Sequence, residues 1–231
     1  AVQSKLLLHP DRGLVNSWGN ELHFLGFGYS GGYRQPDRPL PVREIAYPSG
    51  ASVLLPAVVL RRVGALDERL FLYHEDLELG WRLWICGERV LLAPASVVYH
   101  RYEFARSIKN YYYMERNRYL VLLSHYRMGT LVLLFPALVA VGLAMIAISL
   151  RRGYWREEIG AHLYFLRPSA WVSIVRRRRV VQRLRRVPDR KVVRHFTAVV
   201  DFQELPNRAL VRFGNALLTA YWAVARKLIW W

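Results

Sequence analysis

A long stretch without any charged residue constrains this chain more than any other feature. It runs from Met128 to Leu150 and is rich in leucine and valine. A helix needs about 20 apolar residues to cross the core of a bilayer, and this run is long enough. Arg127 precedes it and Arg151-Arg152 follow it, as is typical of membrane helix ends. The run predicts a transmembrane or re-entrant helix over 128–150, with Pro136 as a point where it could bend.

Positive charge is concentrated after this run. The chain has 34 Lys and Arg against 17 Asp and Glu, a formal net charge of +17, and residues 151–231 hold 18 of the basic and 5 of the acidic ones. Such an excess favours a polyanionic neighbour. The arginine clusters have three interpretations: anionic lipid headgroups, nucleic acid, or a solvated face. The adjoining apolar run and the terminal Trp230 and Trp231 favour lipid, so anionic membrane lipids are the predicted partner and nucleic acid is not.

The single cysteine, Cys86, limits the covalent chemistry of the chain. One cysteine can form neither an internal disulfide nor a cluster of thiolate metal ligands. This composition is typical of a reducing, cytoplasmic setting.

The first part of the chain predicts a loop followed by a strand and a helix. Residues 1–48 are rich in glycine and proline and predict a surface loop, or a flexible loop over a site. Residues 51–55 predict a buried strand. Residues 57–63 predict a short helix, because Pro56 suits a first turn and Gly64 suits a C-terminal cap.

Four further elements follow from periodicity. A helix is predicted from Glu75 to Cys86, where Leu, Trp and Ile repeat at helical spacing. Two short strands are predicted over 89–93 and 96–99. A tyrosine-rich helix is predicted over 101–127 and an amphipathic helix over about 207–231, so the fold class is α/β with further helices at the membrane.

Two adjacent carboxylates, Glu75 and Asp76, carry the clearest chemical signal. They stand at the N-terminus of a predicted helix, where the positive end of the dipole favours their ionised form. An ionised aspartate there can take a proton from a hydroxyl, as a general base must. Acidic residues in a first turn are also ordinary helix caps, and His100 can equally be a lone histidine at the end of a strand.

Five segments form an ordered series along the chain: Ser49 to Leu55, Val63 to Glu68, Phe71 to Leu83, Gly87 to Val90, and Val97 to His100. This series resembles the second half of the family 2 (GT-A fold) glycosyltransferases, and most of all their bacterial rhamnosyltransferase-like branch. A weaker similarity covers Glu115 to Tyr119, the apolar run and the arginine-rich segment.

The resemblance implies a role for each matching residue. Asp76 would be the base that deprotonates the acceptor hydroxyl, and Glu75 would orient it or touch the acceptor. His100 would complete a divalent metal site for Mg²⁺ or Mn²⁺, since such an ion stabilises a departing diphosphate. The residues assigned to substrate binding are Ser49, Gly50, Ala51, Trp81 and Arg82.

The resemblance also implies partners and a location. A nucleotide-sugar donor and a glycan or glycolipid acceptor would meet at the cytoplasmic face of the cell inner membrane, in cell wall or polysaccharide biosynthesis. The predicted organisation is an acceptor-side half of a GT-A domain over 1–127, the apolar helix over 128–150, and a basic, amphipathic membrane-surface segment over 151–231. A full span would put the two flanking regions on opposite sides, which favours a hairpin bent at Pro136 or a partial insertion over 161–175.

One expected feature of such enzymes is missing from this sequence. The six aspartates have no Asp-x-Asp spacing, and no Gly-rich strand-turn-helix precedes them. The donor-binding half is therefore expected on another segment or on a separate chain. Two functional hypotheses stay open: an inverting glycosyltransferase, or a non-catalytic membrane module that binds the acceptor or a partner chain.

Overall fold

The computed structural model describes residues 1–102, 110–200 and 208–231. Residues 103–109 of the predicted tyrosine-rich helix lie outside the described residues, as does Asn207, where the last helix was predicted to begin.

The strands form one five-stranded mixed sheet and one three-stranded sheet. In the larger sheet the order is β2-β1-β7-β5, and β6 pairs with the start of β1; in the smaller sheet it is β4-β3-β8. The strands β1 and β7 are parallel, whereas the other pairs of the larger sheet are antiparallel. The bounds are β1 Val2–Leu8, β2 Val15–Ser17, β3 Asn20–His23, β4 Gly28–Ser30, β5 Arg43–Glu44, β6 Val53–Leu54, β7 Leu91–His100 and β8 Phe196–Thr197.

Residues 1–48 are not the predicted loop, since they contain the five strands β1 to β5. The sequence did not predict β1 because this strand contains polar residues. Their side chains are buried because each binds a specific partner. Gln3 accepts a hydrogen bond from the Ser49 amide at 2.7 Å, and Lys5 pairs with Asp37 at 2.8 Å. The single strand β7 replaces the two short ones predicted, and the strand predicted over 51–55 is reduced to the exposed β6.

Eight helices are described. The helix α1 has the predicted bounds, and α2 ends one residue before the predicted Cys86. The bounds are α1 Ala57–Val63, α2 Glu75–Ile85, α3 Tyr111–His125, α4 Met128–Arg152, α5 Trp155–Leu163, α6 Pro168–Leu184, α7 Asp189–Val192 and α8 Arg208–Leu228.

The apolar helix α4 is one uninterrupted helix of 25 residues with Pro136 inside it. Among the described residues it is the one helix long and apolar enough to cross a membrane by length and composition. The chain does not reverse at Pro136, because a proline inside a helix removes one backbone donor and kinks the helix without turning it back. The hairpin bent at this residue is therefore absent from the structure.

The basic segment of residues 151–231 packs against earlier parts of the chain. The carboxylate of Asp189 accepts hydrogen bonds from the Arg127 amide at 2.9 Å and from the Thr130 hydroxyl at 2.7 Å, and β8 pairs with β3. Trp222 of α8 stacks on Phe24 with ring centroids 4.6 Å apart. Residues from all three predicted regions thus share one hydrophobic core.

A glycine fixes how closely α2 approaches the segment before it. A Cβ atom at Gly80 would lie 2.2 Å from Cβ and 2.7 Å from Cα of Tyr47, and Trp84 donates its indole N–H to the Ala46 carbonyl at 2.9 Å. The backbone of residues 46–47 leaves no room for a side chain at this point of the helix. Packing at Gly80 therefore sets the position of the N-terminus of α2.

We expect Gly80→Ala to lower the free energy of unfolding by about 1–3 kcal/mol, because the added methyl group overpacks the core. Gly214→Ala is the matched control in helix α8, since a Cβ there meets nothing within 4 Å among the described residues. It should raise stability by about 0.5–1 kcal/mol. Urea unfolding monitored by circular dichroism measures both, and equal effects would contradict the close contact.

Candidate functional site

The turn that leads into α2 has a strained backbone. Phe71, Tyr73 and His74 have positive φ angles of 60°, 64° and 67°. Residues other than glycine seldom adopt this left-handed region, and such positions persist only where the surroundings hold them. Glu75 and Asp76 follow directly, so the conformation of this turn sets where their carboxylates point.

An asparagine of α3 holds the strained turn. The two amide hydrogens of Asn117 are shared among the carbonyls of Leu70, Leu72 and Tyr73, each of which lies 2.8 Å from Nδ2. The guanidinium of Arg116 donates to the Leu70 carbonyl at 3.0 Å and to the Asn117 side-chain oxygen at 2.7 Å. We call this arrangement the Asn117 clamp. It fixes the turn by giving the carbonyls of Leu72 and Tyr73 a donor and by adding a further donor to the Leu70 carbonyl, which also accepts from the Leu72 amide at 2.7 Å.

The neighbours of the clamp anchor α3 to the rest of the site. Arg118 pairs with Glu115 and donates to the Leu25 carbonyl at 2.9 Å, and its guanidinium lies 4.3 Å from the Phe27 ring centroid. Burial lowers the pKa of His74 to about 4, so the imidazole is neutral at pH 7. Its Nε2 lies 3.2 Å from the Gly26 carbonyl, which orients the ring.

The Asp76 carboxylate lies at the start of α2 and is held by two backbone amides. Its Oδ2 accepts a hydrogen bond from the Gly50 amide at 3.1 Å, and its Oδ1 accepts one from the Leu77 amide at 2.7 Å. Gly50 and Asp76 are therefore in contact, although they lie on different elements. Ala51 is exposed, and its amide donates to the Ser49 hydroxyl at 3.3 Å.

The electrostatic environment raises the pKa of Asp76 to about 6. Burial is the largest cause and the adjacent Glu75 carboxylate is the next, while the Gly50 and Leu77 amides act in the opposite direction. A carboxyl with a pKa near 6 is largely ionised at pH 7 and still basic enough to accept a proton.

Asp76 faces an open cleft of about 240 Å³ between α2, α3 and the strand β4. Glu75 also faces the cleft, and its Oε2 is buried without a hydrogen-bond partner among the residues that the structure describes. That oxygen can accept a hydrogen bond from a ligand hydroxyl. Other polar groups around the cleft include Asn20, Ser30, Tyr47, Ser49, Tyr73, Tyr102 and Glu115.

Trp81 and Arg82 do not join this cleft. Both are fully buried in the core, and they are not among the residues that line the cleft. The guanidinium of Arg82 binds Glu78 at 2.7 Å and donates to the carbonyls of Gly64 and Ala65 at 2.9 Å. The structure thus gives Arg82 a role in joining α2 to the end of α1, because the helix turns its side chain away from Asp76.

Glu78 is the buried counter-ion of Arg82. Burial by itself raises the pKa of Glu78, but the hydrogen bond and charge of His125, and the charges of Arg82 and Arg177, outweigh it and hold the pKa well below its usual range. Charged groups buried in this way need such partners.

His100, the predicted metal ligand, ends β7 beside this region. Its Nδ1 lies 2.8 Å from the Asn16 side-chain oxygen, and its ring packs 5.8 Å from that of Tyr102, which lines the cleft. The described residues supply no set of three carboxylate or imidazole ligands that includes His100. The one such set among them joins Glu115, Glu158 and His162, where Arg118 already pairs with Glu115.

The sequence interpretation missed the Asn117 clamp. Residues 115–119 showed only a weak similarity to the family. The tyrosine-rich pattern of the helix also did not indicate which of its faces contacts the site. The detectable signal was a run of charged and amide side chains, Glu115 to Arg118, between apolar residues of one helix. Such a run is buried only when every polar group has a partner.

We expect Asn117→Ala to lower the free energy of unfolding by about 2 kcal/mol or more, because the carbonyls of Leu72 and Tyr73 lose their side-chain donor. Asn117→Asp has nearly the same size but also lacks the donor, so it should be at least as destabilising. Urea unfolding compares the two variants. Wild-type stability in Asn117→Asp would show that the side chain contributes shape rather than hydrogen bonds.

Comparison with known proteins supports a relationship to glycosyltransferases. No family model matches the chain. Over 68 residues it is 35% identical to N-acetylglucosaminyl-diphospho-decaprenol L-rhamnosyltransferase of Mycobacterium tuberculosis, in the strains CDC 1551 / Oshkosh and ATCC 25618 / H37Rv. The match covers 29% of this chain and 22% of the relative's length. The chain is thus similar to a rhamnosyltransferase over a limited part of both proteins.

Proposed function

We propose that this chain is the acceptor-side part of an inverting glycosyltransferase with a GT-A fold. It would move a sugar from a nucleotide-sugar donor to a lipid-linked or polysaccharide acceptor at the membrane. The observation that carries the proposal is the Asp76 carboxylate, which faces a cleft and is oriented by the Gly50 and Leu77 amides. The partial similarity to a rhamnosyltransferase supports the same reaction class.

In the proposed reaction Asp76 accepts the proton of the acceptor hydroxyl. The hydroxyl oxygen attacks the anomeric carbon of the donor sugar, and the bond from that carbon to the diphosphate oxygen breaks. The nucleoside diphosphate leaves with the bonding electron pair, and the anomeric configuration inverts. Asp76 suits this role because its pKa of about 6 lies near the pH at which it must work.

Other residues of the cleft would bind the acceptor. The buried Oε2 of Glu75, which has no hydrogen-bond partner among the described residues, would accept a hydrogen bond from a second sugar hydroxyl. The turn of Ser49, Gly50 and Ala51 would pack beneath the acceptor, since the Gly50 amide already binds Asp76. Trp81 and Arg82 would stabilise the core and would not contact the substrate, because they are buried away from the cleft.

The donor would be bound outside the described chain. The matched segment covers 22% of the rhamnosyltransferase, and an Asp-x-Asp sequence is absent here. We assign the donor-binding half to another segment of the protein or to a separate chain. A divalent cation, Mg²⁺ or Mn²⁺, would neutralise the departing diphosphate, and His100 would supply one ligand if that half supplied the rest.

The proposed location is the cytoplasmic face of the cell inner membrane. The relative's name describes a lipid-linked acceptor, and α4 supplies an apolar surface beside the cleft-bearing domain. Anionic lipids would neutralise the basic residues of 151–231.

A non-catalytic membrane module is the second candidate, and the missing Asp-x-Asp sequence is the observation that favours it. It predicts that the protein binds an acceptor glycolipid but no nucleotide sugar, with or without Mn²⁺. Isothermal titration of nucleotide-activated rhamnose into the protein, together with any co-purifying chain, separates the candidates. Manganese-dependent binding would exclude the non-catalytic module.

We expect Asp76→Asn to lower transfer in the intact enzyme by about 100- to 10,000-fold, because the amide cannot take the acceptor proton. Glu68→Gln removes an exposed carboxylate in the preceding turn and should leave transfer unchanged. Radiolabelled sugar incorporation into a glycolipid acceptor measures both variants. Normal turnover in Asp76→Asn would remove this residue from the mechanism.

The pH dependence of turnover should report the same carboxylate. Because Asp76 must be ionised, turnover should level off above pH 6 and fall about tenfold per unit below it. Glu75 contributes to the raised pKa, so Glu75→Gln should move the midpoint to lower pH. Profiles of kcat against pH test this, and a midpoint that Glu75→Gln leaves in place would contradict the assignment.

A further inference from the structure

The outer side of α4 is an uncovered apolar stripe. Val132, Phe135, Val139, Leu143 and Leu150 recur every three to seven residues and are 45–70% exposed. The opposite side of the helix is buried on the protein, through residues such as Leu134 and Met145. Monomeric soluble proteins seldom expose a continuous apolar surface along a helix of this length.

The next helix, α5, has its polarity reversed. Trp155, Ile159 and Leu163 lie at intervals of four residues and are 36–53% exposed, whereas Glu158 is fully buried. A helix at a water-facing surface does the opposite, with its apolar stripe inward and its acidic residues outward. Arg156 is also exposed on this helix, so its outer side combines apolar residues with a cation, as at a lipid headgroup interface.

Helix α8 contacts α4 from another side and repeats the pattern. Phe213, Leu217, Val224 and Leu228 are all more than half exposed, and Tyr221 donates its hydroxyl to the Leu133 carbonyl of α4. Three neighbouring helices thus each leave an apolar stripe uncovered.

Exposed cations lie on a further helix, α6. Arg176, Arg179 and Arg183 of α6 are exposed on the same helix as the exposed Trp171 and Val172. Exposed arginines beside tryptophan and valine are typical of helices at a lipid headgroup interface.

Other arginines of the same cluster form contacts within the protein. Arg177 pairs with Asp67, Arg178 donates to the carbonyls of Leu123 and Tyr126, and Arg185 pairs with Asp189. The arginine cluster is therefore split between packing and an exposed cationic surface.

The packing of α4 excludes a membrane-crossing orientation for this fold. Near the start of α4, the Thr130 hydroxyl donates to the Asp189 carboxylate. At its middle, Gly142 packs so close to α3 that an added Cβ would lie 3.2 Å from the Tyr119 hydroxyl. Just past its end, the ring centroids of Tyr154 and Tyr111 are 4.5 Å apart. Both ends therefore touch the same folded body. If α4 crossed the bilayer, α3 and the sheet beside it would enter the hydrocarbon, where loops and sheet edges are not tolerated.

We propose that α4, α5 and α8 form a monotopic docking face for an anionic phospholipid leaflet. Helix α4, about 37 Å long, lies in the plane of the membrane with its outer stripe below the headgroups. Arg176, Arg179 and Arg183 bind lipid phosphates at the edge of this face. This proposal goes beyond sugar transfer, and either can fail without the other.

Membrane depth along α4 tests the proposal. In a Cys86→Ala background, single cysteines at Val132, Val139, Leu143 and Leu150 are spin-labelled, and their accessibility to oxygen and to a nickel chelate is measured on vesicles of phosphatidylglycerol and phosphatidylcholine. We expect one shared depth for all four positions. Leu134→Cys and Met145→Cys, on the buried side, are the controls and should not respond to vesicles.

Each other outcome would overturn the proposal. A depth that is greatest near Val139 and shallow towards both ends would show a membrane-crossing helix. Unchanged accessibility on adding vesicles would show that lipid does not cover this face. Protection that depends on protein concentration without vesicles would identify a second copy of the chain as the occupant.

Vesicle sedimentation tests the cationic edge. Replacing Arg176, Arg179 and Arg183 together by glutamine should weaken binding to phosphatidylglycerol vesicles roughly 100-fold. The matched control replaces the exposed Arg12, Arg34 and Arg61 by glutamine, which changes the net charge equally and should have little effect. Equal losses in both triple variants would show a general charge effect and overturn the assigned edge.

Discussion

The hydrogen bonds from Asn117 to three carbonyls of one turn are the constraint on which the site depends. That turn has three residues other than glycine with positive φ, and it ends at Glu75. Without the Asn117 donor the carbonyls of Leu72 and Tyr73 would lose their side-chain partner. Through the clamp, the position of α3 determines the position of the Asp76 carboxylate. Gly80 completes the arrangement from the other side, because it lets α2 lie directly against Tyr47.

The same helix α3 links the site to the proposed membrane-docking face. It contacts the turn through Asn117, the cleft through Glu115 and Arg118, and α4 through Tyr119. A rigid helix shared by the two regions would hold the cleft at a fixed height above a lipid surface. An acceptor carried by a membrane lipid would then reach Asp76 without leaving the bilayer.

Local signals in the sequence predicted part of this structure. Pro56 and Gly64 gave the bounds of α1, since both act through their own backbone, and the apolar spacing gave α2. The family resemblance assigned both Gly50 and Asp76 to the site, and a hydrogen bond joins them in the structure. The strand β1 was missed because Gln3 and Lys5 are buried by partners far along the chain. The inward orientation of Trp81 and Arg82 depends on tertiary packing in the same way, and so does the division of the arginine cluster.

The central claim is that an acceptor sugar occupies the cleft with its attacking hydroxyl at Asp76. Photo-crosslinking with an acceptor glycolipid that carries a diazirine beside that hydroxyl tests it most directly, with the attached peptides identified by mass spectrometry. The account predicts crosslinks to residues 49–51 and 73–77, which are abolished by excess unlabelled acceptor. Competable crosslinks confined to α6 or α8 would contradict the account, because they would place the acceptor away from Asp76.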